Sequence, residues 1–270
     1  MRLVCFDRRE TVAKILIVKC SADDDDGEMA KMAASIEAFK KNQNDIVSLV
    51  DLTEITPRHL TNEYKNYDKL IVTGHSRFFE NGSRFVAPPK YVCRPLAQRL
   101  VGGVPADQIA SFLADIVKLA KIKDILFCCC EIATNVDTHT RDDNGEELPP
   151  AIDVRSNWDN IVDAYLKSEK GDEKVSLLVW LGILMRQKLR KQAWAGEVLL
   201  GGLNGIGYIV EDNPKFLTFS QEYFSNYATI LKRQNKSKTL KKDDEFLNNY
   251  VLNKARKASA HVLTYKFLVP

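Results

Sequence analysis

Apolar residues in the first half of the chain follow two rhythms. Short β-branched runs, apolar at nearly every position, alternate with longer stretches in which apolar residues recur at every third or fourth place. Residues 12–20 (VAKILIVKC), 45–52 (DIVSLVDL), 69–73 (KLIVT) and 124–130 (DILFCCC) are runs of the first kind and predict strands. Met29, Met32, Ile36 and Phe39, after the acidic turn Asp23-Asp24-Asp25-Asp26-Gly27, predict a helix whose N-terminus favours the negative charge before it. Pro105 stands at a first helical position, and Ile109, Phe112, Leu113, Ile116 and Ala120 form one apolar stripe behind it. Short apolar strands separated by helices of this length imply a parallel sheet covered on both faces, a doubly wound α/β arrangement.

The second half is less regular. Residues 134–153 are polar, acidic and proline-containing, and predict an exposed loop. Residues 158–166 suggest a helix and 175–194 a longer one. The first half of the longer helix is apolar almost all round, and its second half carries Arg186, Lys188, Arg190 and Lys191. Residues 197–210 (EVLLGGLNGIGYIV) read as a strand, a glycine-rich bend and a second strand. A basic segment over 232–242 precedes a helix over 243–258 and a final alternating strand over 261–269. Without a repeat or a clear linker, the pattern predicts one domain over 1–220 and a C-terminal extension, 221–270, packed on or near it.

Composition narrows the function classes. With 45% hydrophobic and 28% charged residues among 270, the chain has the make-up of a soluble globular protein. Thirty-nine Lys and Arg against 36 Asp and Glu give a net charge of +3, too balanced for a nucleic-acid or membrane-surface reading of the whole molecule. The longest apolar run, residues 175–185, is interrupted by serine and too short to span a bilayer, and the N-terminus lacks the apolar core of a Sec-type signal. The six cysteines are Cys5, Cys20, Cys93, Cys128, Cys129 and Cys130. Three in succession suit neither a disulfide framework nor zinc spacing, so a reducing compartment such as the cytosol is expected. His59, His139 and His261 have no partner at metal-ligand spacing.

Two predicted strands end in reactive side chains. His75 follows KLIVT-Gly74, and Cys130 closes DILFCCC. In an open parallel sheet the carboxyl ends of the strands share one edge, where ligands bind. A cysteine and a histidine there can face one cleft, as a nucleophile and its base must. A buried cysteine that merely fills space is the plainer alternative. Cys128 and Cys129 compete with Cys130 as the attacking thiol, but alternation sets Cys129 on the opposite face and Cys130 lies farthest beyond the apolar run.

These segments resemble the signature of the caspase-like cysteine peptidases, in which a hydrophobic strand ends in His-Gly and a second strand, about 50 residues on, ends in the nucleophilic Cys. Here the separation from His75 to Cys130 is 55. The chain is most similar to the self-cleaving protease domains of large bacterial toxins, the multifunctional autoprocessing and clostridial glucosylating toxins. Their strand ending Gly-His-Gly, helix Gly-x-x-x-Asp/Glu-x-Leu/Ile-Ala and strand ending Gly-Cys correspond to Gly74-His75-Ser76, Gly103-Val104-Pro105-Ala106-Asp107-Gln108-Ile109-Ala110 and Cys129-Cys130. The resemblance covers roughly residues 12–210.

The resemblance implies a caspase-like three-layer sandwich, a mostly parallel central sheet with helices on both faces. It implies a cysteine endopeptidase cleaving a host protein or itself, with Cys130 as nucleophile, His75 as acid and base, and Asp23 completing the site. The backbone N–H groups of Ser76 and Cys130 would then hold the oxyanion. Asp23 to Asp26 read equally well as a solvated helix start. Inositol hexakisphosphate is the implied activator, held by Lys69 and Lys215, with Lys232 and Arg233 supplying charge from the basic segment, and no cofactor is required. A freestanding domain of this type implies a secreted bacterial effector that leaves by a non-Sec route and acts in a host cytosol. Ser76 replaces the family glycine, Cys129 the small residue before the nucleophile, and Asp212-Asn213-Pro214-Lys215 lacks the family's paired arginines. An inactive scaffold binding a protein or inositol phosphate, and a thiol enzyme performing acyl transfer or deamidation, remain the other readings. Gly201 to Gly207 lack the spacing of a dinucleotide fingerprint and predict a bend beside the cleft.

Overall fold

The computed structural model describes residues 12–22, 27–76, 100–130, 132–133, 176–203, 206–210, 213–219, 256–257 and 262–269. The expected elements over 134–153 and 158–166 and the basic segment 232–242 lie outside them.

Strands β1 (Lys14–Lys19), β2 (Ile46–Asp51), β3 (Lys69–Thr73), β6 (Asp124–Cys128), β7 (Gly196–Leu203) and β11 (Val262–Val269) form one six-stranded sheet in the order β11-β7-β6-β3-β1-β2. Its pairings are parallel except that β11 runs antiparallel to β7. The fold is therefore α/β with a mostly parallel central sheet. Leu199 donates to the Lys123 carbonyl just before β6 begins, which continues that pairing beyond the strand. Within the expected extension 221–270, β11 is an integral strand of this sheet.

The doubly apolar strands are explained by what covers each face. Ile15 and Ile17 of β1, Ile71 of β3 and Cys128 of β6 pack against Met29, Met32, Ala33 and Ile36 of α1 (Glu28–Lys41). Leu16 and Val18, Leu70 and Val72, and Ile125 and Phe127 face the other way. They meet α3 (Ala106–Asp115), its π-helical continuation Ile116–Ala120, and α4 (Leu177–Lys191). The short helix α2 (Pro57–Asn62) adds Leu60 to the same cluster. Trp180 and Trp194 pack partly buried against it, as core anchors should.

Helix ends follow local chemistry. Ser176 caps α4 by accepting from the Val179 N–H at 3.2 Å. Asp51 and Glu54 form a reciprocal capping box on the single 3-10 turn Leu52–Glu54. Pro105 is the residue before α3 and belongs to the hairpin β4 (Leu100–Val101) and β5 (Val104–Pro105), one position earlier than the sequence suggests.

Three departures have physical reasons. Phe39, expected on the buried stripe of α1, is 37% exposed: the stripe that meets the sheet ends at Ile36, and the last turn carries Lys40 and Lys41 instead. The helix expected over 243–258 does not include Arg256–Lys257, which form β10 and pair with Leu217 and Thr218 of β9 (Asn213–Phe219), where their backbone groups join a ladder. β9 also pairs with β8 (Ile206–Val210) in this separate three-stranded sheet. The chain therefore passes from the central sheet at Leu203 to this second sheet at Ile206. Finally, the β6 ladder stops at Cys128, leaving Cys130 beyond it.

Gly202 shows how tightly the central layer is filled. A Cβ there would lie 2.7 Å from Ile132 Cγ2 and 3.0 Å from Leu178 Cδ2. Gly202→Val should cost about 1–3 kcal/mol through overpacking, read as a lowered denaturation midpoint. An unchanged midpoint would mean that the segment after β6 is not seated on β7.

Candidate active site at the carboxyl edge of the sheet

β3 and β6 are parallel neighbours, and their register sets Thr73 opposite Cys128. His75 and Cys130 each stand two residues past those paired positions, so both lie on the carboxyl edge, just beyond the ends of adjacent strands. Both are half-buried. The chain leaves β1 towards β2 on one side and β3 on the other, so the switch in strand order lies between β1 and β3. In open α/β sheets the ligand crevice forms at such a switch. His75 follows one of the two strands that flank it.

The neighbouring thiols are chemically quiet. Cys128 faces α1 and Cys129 the opposite cluster, as alternation requires. Burial pushes the Cys128 thiol up to about 12, with a weaker opposing pull from Lys69 and Lys40. Burial also raises Cys129 well above its ordinary value; Cys20, Cys128 and Cys130 add to this, and a backbone hydrogen bond from Gly74 works against it. Its Sγ donates to the Val72 carbonyl at 3.7 Å. Burial therefore disfavours the thiolate at both, and of the three consecutive cysteines only Cys130 is not buried.

A glycine hairpin closes the edge beside His75. Gly102 and Gly103 join β4 to β5 with φ of 55° and 77°, the turn geometry that requires left-handed backbone at both central positions. The Gly102 N–H donates to the His75 carbonyl at 2.8 Å. A Cβ on Gly102 would lie 2.2 Å from the Cys20 carbonyl oxygen, and one on Gly74 would lie 3.0 Å from Gly102 N. The backbones after β1 and β3 and the hairpin thus meet with no room for side chains. Ser76 is buried immediately after His75.

One residue row ends the paired sheet: Asp51 of β2, Lys19 of β1, Thr73 of β3 and Cys128 of β6. The Asp51 carboxylate accepts from Ser21 Oγ, from the Thr53 N–H at 3.0 Å and from Thr53 Oγ1 at 2.8 Å, with Lys19 Nζ at 3.6 Å. Burial works to raise its pKa, but these partners outweigh burial and hold it below the usual value. Thr73 is fully buried, and its hydroxyl has no hydrogen-bond partner among the described residues.

Asp23 lies outside the described residues, as do Lys232 and Arg233. Lys69 begins β3, at the amino edge away from His75, and its Nζ is 2.9 Å from Asp124. Lys215 belongs to β9. Among the described residues no group of three or more His, Cys, Asp or Glu could hold a metal ion, and no helix is long and apolar enough to cross a membrane. Sequence reasoning missed the Gly102 contact and the Asp51 cluster. Asp51-Leu52-Thr53-Glu54 carries the acceptor-x-x-Glu spacing of a capping box and was the available signal for the second.

No family model matches the chain, and no curated protein matches it. A solved structure from Burkholderia pseudomallei, described as an exported protein, is similar over 67% of this chain and 95% of its own at 12% identity, with a TM-score of 0.27. So loose a superposition carries no argument about fold or site.

Two outcomes follow from this electrostatic arrangement. Iodoacetamide at pH 8, read by peptide mapping of the native protein, should modify Cys130 well ahead of Cys128 and Cys129; equal modification of the three would contradict their burial. Asp51 has a depressed folded-state pKa, so its contribution is present above the unfolded value near 4 and lost as pH falls through the folded one. Asp51→Asn should therefore cost about 1–2 kcal/mol at pH 7, with a gap to the native chain that narrows below about pH 4. An equal gap at pH 3 and pH 7 in denaturant titrations would remove the carboxylate charge from the account.

Proposed function

We propose that the chain is a cysteine peptidase of the caspase-like, three-layer α/β type, with Cys130 as nucleophile and His75 as general acid and base. The observation that carries the reading is the β3–β6 register, which sets two residues 55 apart in sequence at equivalent positions just past the ends of neighbouring parallel strands. The silencing of Cys128 and Cys129 supports the choice of thiol. The strand order, with its switch beside His75, supports a substrate cleft on this edge.

In this reading the Cys130 proton passes to His75, and the thiolate attacks the scissile carbonyl carbon. The electron pair of the C=O bond moves to oxygen, where the Ser76 and Cys130 N–H groups stabilise it. Collapse of this intermediate breaks the C–N bond, and the leaving nitrogen takes the proton from His75. Water then attacks the thioester, giving a proton to His75, and the C–S bond breaks to release the acid and restore the thiol. The substrate is a protein chain, another protein or this one. Inositol hexakisphosphate is left out of the proposal, because Lys69 is already matched by Asp124.

Cys130→Ala should abolish labelling by an electrophilic peptide probe, His75→Ala should reduce it by about 100-fold or more, and Cys128→Ala should leave it intact. Equal labelling of all three variants and the native chain sinks the assignment. If no probe reacts at Cys130, the chain is a scaffold without catalysis. Mass analysis of product distinguishes hydrolysis from acyl transfer or deamidation.

A further inference from the structure

We infer that Gly102 is a positioning residue for the oxyanion site: its N–H holds the His75 carbonyl on the β1 side and thereby turns the Ser76 N–H towards Cys130. The inference rests on the peptidase reading, and it concerns a glycine that makes no contact with substrate.

The geometry follows from the ladder. In a parallel sheet, alternate residues of a strand direct their backbone groups to the same neighbour. Thr73 directs its carbonyl to β1, where the Cys20 N–H donates to it at 2.8 Å. Carried two residues past the end of β3, the same alternation would direct the His75 carbonyl the same way. The next donor along that side is the Gly102 N–H, at 2.8 Å, supplied by the β4–β5 hairpin in place of the chain that follows β1. Gly102 can occupy that place because it has no side chain: a Cβ would lie 2.3 Å from Cys20 Cβ and 2.7 Å from the Cys20 carbonyl carbon.

The His75 carbonyl and the Ser76 N–H belong to one peptide unit. In a trans peptide these two groups point in opposite directions. Fixing the carbonyl towards β1 therefore sends the N–H towards the other neighbour of β3, which is β6, the strand that ends before Cys130. A single hydrogen bond so converts the seating of a hairpin into the aim of a donor. Oxyanion donors contribute only when aimed before the reaction begins, which gives the contact a role beyond holding the loop.

The test removes the N–H alone. Cell-free synthesis of the full chain with glycolate at position 102 replaces the amide by an ester and adds no side chain. Gly102→Ala is the coarser companion variant, in which the Cys20 clash displaces the hairpin. Two small probes then separate the steps. Iodoacetamide alkylates a thiolate without an oxyanion, whereas p-nitrophenyl acetate acylates it through one. With the Cys130→Ala rate subtracted from each, the ester chain should acylate about tenfold to 100-fold more slowly, approaching the loss expected of a missing oxyanion donor. Its alkylation rate should stay within about threefold. A parallel fall in both rates, or no change in either, overturns the positioning role and leaves the peptidase reading standing. A native Cys130 no more reactive than Cys128 towards either probe overturns both. Independently of activity, a through-bond NMR coupling between the Gly102 nitrogen and the His75 carbonyl carbon is expected in the native chain, and its absence overturns the inference.

Discussion

The site depends on one constraint, the register of β3 between β1 and β6. Three ladders meet in a single row, Asp51, Lys19, Thr73 and Cys128, and everything of chemical interest lies just beyond it. A slip of one residue in β3 would send Ile71 and Val72 each to the other face. It would also reverse the direction in which His75 presents its side chain and Ser76 its N–H. Register is secured because both faces are buried: Ile71 packs among the α1 contacts and Val72 among those of α3 and α4.

The same burial that fixes the register sorts the cysteines. Cys128 and Cys129 have chemically identical side chains to Cys130 but lie deeper. Both are enclosed by apolar packing, which disfavours a thiolate. Burial in this triplet thus ends just past the point where the ladder stops. The sheet edge makes a related use of glycine. At Gly74 and Gly102 the absence of side chains lets three backbone segments meet, so rigid peptide groups, with little rotamer freedom to lose, line the place where His75 emerges.

Much of the fold was legible from the chain. KILIVK and KLIVT are apolar on both faces because helices cover both, and Met29, Met32 and Ile36 identify the helix that covers one of them. The juxtaposition of His75 and Cys130 was also readable, since parallel strands share a carboxyl edge. Strand order was not: that β6 lies beside β3 is a matter of which crossover forms, and no local pattern records it. Phe39 fits the helical period yet misses the core, because periodicity shows which face is apolar but not where the partner surface ends. The seating of Gly102 against Cys20 joins residues 82 apart through backbone atoms, which leave no trace in side-chain chemistry. Lys69 was legible as a cation, whereas its pairing with Asp124 depends on the in-register start of β3 and β6.

The antiparallel strand β11 has a consequence for how the molecule comes into being. It covers β7 along its whole length, from Val262 opposite Leu203 to Val269 opposite Gly196, and the Arg186 guanidinium clasps the Leu268 carbonyl at 3.0 Å. On a ribosome adding about 5–20 residues each second, the parallel strands emerge well before this partner. For those seconds β7 lacks its β11 partner along Val198 to Leu203, a stretch rich in glycine and free of charge, and an unpaired edge of this kind invites pairing with a neighbouring nascent chain. The margin of the sheet farthest from β2 is therefore completed only after the parallel strands have emerged, and the newborn chain is open to misassembly there until β11 arrives.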